Sequence, residues 1–361
     1  MHEYFSPNYR IAREKFLAAA AGRRAECLTF RHPQAGLEGE TLAADVAILG
    51  DPAAPAVLVM NAATHGAEGF CGSGVEIGFL TSDEFERLPA GLRVVLIHAI
   101  NPYGFSWLQR ETHENVDLNR NFVDFAAPLP VNAGYDRLHA VIAPRHWTPD
   151  TQAARRTAFA GFAAAEGAAA LQRAITAGQY QHPDGLFFGG RGPTWSNATF
   201  GTIVARTCAG ARQVGFIDFH TGLGPYGTAE LIAEGGPGQA SYDRALAWYE
   251  HGVVSIVAGD SASAPVTGDI GASLSRALPG VAVTPVSPEF GTVALPRELE
   301  ALIARLWVRR HGDPHDAFGR QVLREVRDCF YPDADDWREL IWVRSRQVVS
   351  RAIRGLCGGT G

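Results

Sequence analysis

Short, unbroken apolar runs recur along this chain, separated by longer stretches in which alanine and leucine are mixed with polar residues. The runs AVLVMNA (56–62), RVVLIHAI (93–100) and VGFIDFH (214–220) have the length and composition of strands buried on both faces. Segments 25–31, 42–49, 229–234 and 281–290 read as further strands, partly alternating and partly apolar. Between them, residues 10–22 pattern as a short amphipathic helix. Residues 72–82, 151–177, 240–257 and 295–310 read as Ala- or Leu-rich helices with few breakers. Buried strands alternating with helices predict an α/β fold with a largely parallel sheet covered on both faces. Residues 128–200 carry many alanines and then the Gly/Pro-rich HPDGLFFGGRGPTWSN, and read as an insertion near the active face. The tail 314–356 reads as two helices joined at YPDADD that cap the sheet, so that 1–361 forms a single domain.

Polar residues gather where the apolar runs end. The first run leads into His65 and Glu68, the second into NPYGFSWLQRETHENVDLNRNF (101–122), the third into His220, and a later one into Glu289. In open α/β sheets ligands sit outside the carboxyl ends of the strands, so these tips predict one site. His65, Glu68 and His220 are the ligand types of a catalytic zinc site, with three protein ligands and one position left for water. Zinc lowers the pKa of that water from 15.7 to about 7, roughly 12 kcal/mol in favour of hydroxide. The H-x-x-E spacing lets one turn present two ligands, and the flanking Gly66 and Gly69 permit close backbone approach. The competing reading of His220 is a core histidine, and that of H-x-x-E a surface pair.

Other residues take roles around such an ion. Asp117 can accept the remaining ring N–H of His65, or be a simple turn aspartate. Arg110 can stabilise an oxyanion, and Arg120 beside Asn119 can clamp an anionic group, although either arginine alone would read as a solvated loop residue. Glu289, between Pro288 and Phe290 at an apolar strand end, can take a proton from water and hand it to a leaving amine.

Composition narrows the classes. With 46% hydrophobic and 19% charged residues the chain is an ordinary globular one, not a disordered one. A net charge of -6 disfavours nucleic acid as a partner. Lys15 is the only lysine, a mark of base composition more than of function. Five cysteines with wide spacing and no C-x-x-C suggest reduced thiols, neither a disulfide framework nor a cysteine-held zinc. No stretch has the length of a membrane helix, and the N-terminus lacks the pattern of a leader, so a cytoplasmic enzyme without a membrane partner is expected.

The ordered set H-G-A-E, N-P-Y-G, Arg110, D-L-N-R-N-F, D-F-H and P-E-F-G, over roughly 55–292, resembles the zinc carboxypeptidase (M14-like metallopeptidase) superfamily, in particular a DUF2817-type bacterial branch. The tail DWRELIWVRSRQVV is similar to that branch as well. The resemblance implies a mixed, mostly parallel eight-stranded sheet between helices and one Zn2+ held by His65, Glu68 and His220. It further implies Glu289 as general base and acid, Arg110 as carbonyl polariser, Asn119 and Arg120 as the grip on a terminal carboxylate, and Asp117 as support for a zinc histidine. Two features depart from the pattern. Tyr103 stands where the family has aspartate in N-P-D-G, and residues 250–288 lack the family's substrate-contacting tyrosine, with Tyr226 and Tyr242 nearby but unaligned. The expected activity is hydrolysis of an amide or peptide bond next to a free carboxylate, on a small molecule or short peptide. The alternatives are an N-acyl amino acid deacylase like succinylglutamate desuccinylase or aspartoacylase, and a non-catalytic binding protein.

Overall fold

In the computed structural model, which describes residues 2–250 and 252–358, the apolar runs assemble into one sheet. The strands are β1 (Glu26–Ala35), β2 (Thr41–Gly50), β3 (Ala56–Asn61), β4 (Leu92–His98), β5 (Gln213–Asp218), β6 (His220–Gly222), β7 (Ala229–Ala233), β8 (Val253–Val254) and β9 (Ala282–Gly291). Their order is β1-β2-β4-β3-β5-β9-β7-β8, with β6 added alongside β9. The centre, β4-β3-β5-β9, is parallel, whereas β1 and β2 on one side and β7 on the other run antiparallel to their inner neighbours. The mixed, mostly parallel class is as expected. The count is not: nine strands stand, among the described residues, where eight were expected. Short strands account for the difference. Pairing with β9 lapses at Phe219 and resumes in the same register for three residues as β6, and β8 is only two residues long.

The helices are α1 (Tyr9–Gly22), α2 (Gly69–Thr81), α3 (Pro102–Ser106), α4 (Ala133–Ile142), α5 (Pro149–Glu166), α6 (Ala168–Thr176), α7 (Trp195–Thr207), α8 (Ala240–Tyr249), α9 (Ile270–Ala277), α10 (Leu295–His311), α11 (Ala317–Phe330) and α12 (Asp335–Gly358). The expected helix 151–177 is divided by Gly167, whose φ of +95° no helix accommodates. The expected helix 240–257 stops at Tyr249; residue 251 lies outside the described residues, and Val253–Val254 are extended. Helices α4, α7 and α9 arise where no helix was read. Each begins on a side-chain cap, from Asn132, Thr194 and Asp269 respectively, which satisfies a backbone N–H that would otherwise lack a partner.

Strand alternation sends side chains to two cores. Leu58, Met60, Val94 and Leu96 pack under Phe16 of α1, Phe79 of α2, Ala245 of α8 and Val349 of α12. Val57, Val59, Val95 and Ile97 pack on the other face under Phe200 and Ile203 of α7 and Ile270 and Leu274 of α9. Each such side chain taken fully out of water contributes about 1.5–3 kcal/mol. A third cluster joins Tyr135, Phe162, Leu186 and Phe187 to Leu302 and Leu306 of α10 and Phe330 of α11. It fastens the 128–200 segment beside the carboxyl ends of β3, β5 and β9. Among the described residues no helix is long and apolar enough to cross a membrane.

Candidate functional site

Strand β3 ends at Asn61, and the chain turns through Ala63, at φ +64°, into His65 and a single 3-10 turn, Gly66–Glu68. That turn is pinned from behind: Gly66 N–H donates to the Arg110 carbonyl (3.1 Å) and Ala67 N–H to that of Gln109 (3.0 Å). The approach is possible only for glycine, because a Cβ at Gly66 would lie 2.0 Å from the carbonyl carbon of Gly104. The H-G-A-E and N-P-Y-G motifs are thus two sides of one backbone contact. On the third tip, Asp218 and His220 are two residues apart on extended backbone and can reach each other.

One nitrogen or oxygen from each of His65, Glu68 and His220 lies within 4.8 Å of the others, and all three residues are buried. The imidazoles are oriented alike. His65 Nδ1 is 2.9 Å from Glu68 Oε1, and His220 Nδ1 is 3.0 Å from Glu68 Oε2. Each Nε2 faces a second carboxylate: Asp117 Oδ1 at 3.2 Å for His65, Asp218 Oδ2 at 2.6 Å for His220. Asp218 is itself held, its Oδ1 accepting from Asn61 Nδ2 (2.7 Å) and Thr64 Oγ1 (2.8 Å). Asp117 caps its own short turn through Asn119 N–H and accepts from Arg110 Nε at 2.9 Å.

The electrostatics favour a positive charge at this point. Burial works against the charged forms, yet the charges of His65 and His220 hold the Glu68 carboxyl far below its usual range, and those of Arg110 and Arg120 do the same for Asp117. Burial likewise opposes a charged His220, but Asp218 and Glu68 drive its pKa well above normal. Two Nδ1 atoms converging on a carboxylate, each ring braced at Nε2 by another, is the donor set and outer support of a divalent cation such as zinc.

Glu289 lies directly across from His220 in the β6–β9 pair, and its Oε1 accepts from Leu223 N–H at 3.1 Å. Burial and then the charge of Glu68 raise its pKa to about 8, the poise of a proton carrier near neutrality. Arg110 reaches the same place. Its Nη1 is 3.3 Å from Glu68 Oε1, its Nη2 is 2.8 Å from His65 Nε2, and it lies 5.1 Å from the ring centre of Phe187. Arg120 spends three donors on the carbonyls of Ala177, Asn119 and Thr176 and keeps two N–H groups. Asn119 Oδ1 accepts from Ile270 N–H at 2.8 Å, and its amide NH2 meets no acceptor among the described residues.

These residues line a cavity of about 380 Å3, into which the 128–200 segment contributes Gln172, Thr176 and Phe187. All eight residues singled out in the sequence fall at this cleft or directly behind it. No tyrosine lines it among the described residues: Tyr242 is buried in α8, and Tyr226 is bonded to Asp336 at 3.1 Å. Asp218 and Glu298 are among the acids at this site that the sequence reading does not single out, with Glu234 and Asp269. Asp218 was available from its i, i+2 relation to His220. Glu298 was available from its place on the apolar stripe of α10 with Ala301, Leu302 and Leu306.

A family model described as a protein of unknown function, DUF2817, matches residues 5–344. No curated protein matches the sequence. Among solved structures, carboxypeptidase A from Helicoverpa armigera superposes with a TM-score of 0.53 at 13% identity, covering 99% of this chain and 74% of that one. A succinylglutamate desuccinylase from Silicibacter sp. TM1040 is similar at a TM-score of 0.40, 13% identity, and 78% and 64% coverage. Murein-tripeptide amidase MpaA from Escherichia coli O157 is similar at 0.37, 16% identity, and 80% and 95% coverage. The first likeness establishes the zinc carboxypeptidase-like fold, while the other two are too loose to carry an argument.

Proposed function

Because this chain belongs to the DUF2817 family and has the zinc carboxypeptidase-like fold, we propose that it is a zinc hydrolase cleaving an amide or peptide bond beside a free carboxylate. One observation carries the reading: His65 and His220 both present Nδ1 to Glu68 while Asp117 and Asp218 hold their Nε2 atoms. His65, Glu68 and His220 would hold one zinc ion, which when bound acidifies water and polarises a carbonyl.

The protein's own groups then have definite tasks. Glu289 takes the proton released as water attacks, and returns it to the leaving amine. Arg110 donates to the oxygen that gains charge. His65 Nε2 lies between Arg110 Nη2, which suits a bare nitrogen, and Asp117, which suits an N–H. With His65 holding the ion, its Nε2 would carry the proton and donate to Asp117, and the Arg110 Nη2 donor would be released to the substrate. Asn119 NH2 and the unspent N–H groups of Arg120 receive the terminal carboxylate. Asp117 and Asp218 fix the tautomers.

We read residues 1–361 as one catalytic domain whose 128–200 segment helps wall the cavity. Its volume of about 380 Å3 is near the lower end for ligand sites and favours a dipeptide or an N-acyl amino acid over a long peptide. The five unpaired cysteines support a cytoplasmic location. The test is metal analysis joined to an assay. Zinc-loaded protein should hold one zinc per chain and hydrolyse small amides bearing a free carboxylate, and His220→Ala should lose both. Wild-type protein that takes up no zinc would refute the reading.

A further inference from the structure

One carboxyl group beside the proposed reaction centre has no part in that chemistry. Glu298, near the start of α10, is buried, its Oε1 is enclosed without a partner, and no described residue hydrogen-bonds its side chain. It faces Glu289 across a single glycine: a Cβ at Gly222 would stand 3.3 Å from Glu298 Oε2 and 3.5 Å from Glu289 Oε1. Gly222 has φ +143°, a backbone conformation that suits glycine, and its missing side chain leaves the space between the two carboxyls clear. Both groups line the cavity with His65, Glu68 and His220.

The charge of Arg110 reaches Glu298, but among the described residues no cation hydrogen-bonds or ion-pairs with it. Arg110 is turned to Asp117, Glu68 and His65, and Arg120 to three backbone carbonyls, and the donors that either keeps for substrate are assigned above to the carbonyl oxygen and the terminal carboxylate. A buried carboxyl without a hydrogen bond is costly, and its persistence at the wall of an open cavity calls for a ligand that completes it. A cationic donor would complete it as an ion pair. Position narrows the choice. Gly222 and Glu289 flank the point where the carbonyl would be attacked, while Asn119 and Arg120 would hold the carboxylate of the leaving part. A donor reaching Glu298 is therefore on the acyl side, near the carbonyl.

We propose that Glu298 is a specificity residue that binds the free α-ammonium group of the acyl part, so that preferred substrates are small amides of unblocked α-amino acids, such as dipeptides. This rests on the hydrolase reading above. It selects against the N-acyl amino acids that the same site could otherwise accept, since a neutral acyl group leaves Glu298 unpaired.

The test compares alanylalanine with N-propionylalanine, which differ in the single ammonium group, on zinc-loaded wild type, Glu298→Gln and Glu298→Asp. Wild type should favour alanylalanine at least tenfold in kcat/KM. Glu298→Gln should shrink that ratio about tenfold, and Glu298→Asp should recover part of it. A general packing defect would weaken both substrates and leave the ratio in place. Equal use of the two by wild type, or an unchanged ratio in Glu298→Gln, overturns the inference while the hydrolase reading stands. If neither compound is cleaved, calorimetric titration of the zinc-loaded proteins with both decides it. A preference of tenfold or more for alanylalanine that Glu298→Gln abolishes supports the ammonium site, and equal or undetectable binding of the two rejects it.

Discussion

His220 and Glu289 are register partners in the parallel β6–β9 pair, so a proposed metal ligand and the proposed proton carrier are positioned by one backbone ladder. The sheet thus sets the separation of these two groups, and exchanging the side chain leaves the frame intact. Glu289→Gln keeps the hydrogen bond from Leu223 N–H, made to Oε1, but cannot accept a proton. It should retain zinc at wild-type stoichiometry while kcat falls about 10²–10⁴-fold. Metal content and turnover measured on one preparation check this. Loss of zinc together with activity would mean that Glu289 supports the ion and does not move a proton.

Asp218 is the brace most tightly held, between His220 on one side and Asn61 and Thr64 on the other. Asp218→Asn keeps its size but can present an NH2 to His220 Nε2, favouring the wrong tautomer. Zinc affinity should fall about 10–100-fold. Competition with a chromophoric chelator gives the number, and an unchanged affinity would remove Asp218 from the metal's support.

Strand placement was legible in the sequence because the central strands are buried on both faces and so read as unbroken apolar runs. β3, β4 and β5 coincide with theirs to within a residue or two. β6 and β8 were not legible, because two or three residues carry no period of their own and are extended only by pairing. The site was legible where chemistry is dense in sequence, as in H-G-A-E. Glu298 gives a weaker signal: its i, i+3 and i+4 relation to Ala301 and Leu302 puts it on the buried stripe of α10, but a single acid in a helix otherwise reads as a surface residue. The helical break at Gly167 was hidden, since glycine inside an Ala-rich stretch signals a stop only when φ turns positive.

The glycine contact behind the first ligand turn is a stability prediction. A methyl group at Gly66 would meet the backbone of Gly104 and Phe105, neither of which can swing aside as a side-chain end can. Gly66→Ala should destabilise the protein by about 2–4 kcal/mol and weaken zinc binding, because relief must move the turn bearing His65 and Glu68. Chemical denaturation with and without zinc reads both effects. A variant as stable as wild type would show that the two motifs do not depend on each other.

Burial and the Glu68 charge raise the Glu298 pKa from 4.5 to about 8 in the metal-free protein. Between those values the folded chain keeps a proton that the unfolded chain releases, so this group's contribution to stability is full below pH 4.5 and is lost as pH rises towards 8. Glu298→Gln is neutral throughout. The thermal midpoint of metal-free wild type should therefore fall more steeply between pH 5 and 8 than that of the variant, a range lying within the window between the two pKa values. Parallel curves would place the Glu298 pKa in its ordinary range.

Asn119 allows carboxylate recognition to be separated from architecture. Its Oδ1 holds the Ile270 N–H at the start of α9, while its NH2 is free to face the substrate. Asn119→Asp keeps the first contact and replaces the second with a negative charge. For substrates ending in a free carboxylate, KM should rise tenfold or more with kcat changed far less, since the lost contact exists equally before and during reaction. For matched substrates ending in a carboxamide, which can donate to the new aspartate, the rise should be much smaller. A loss of equal size for acid and amide would assign Asn119 to holding α9 and leave Arg120 as the carboxylate's only partner.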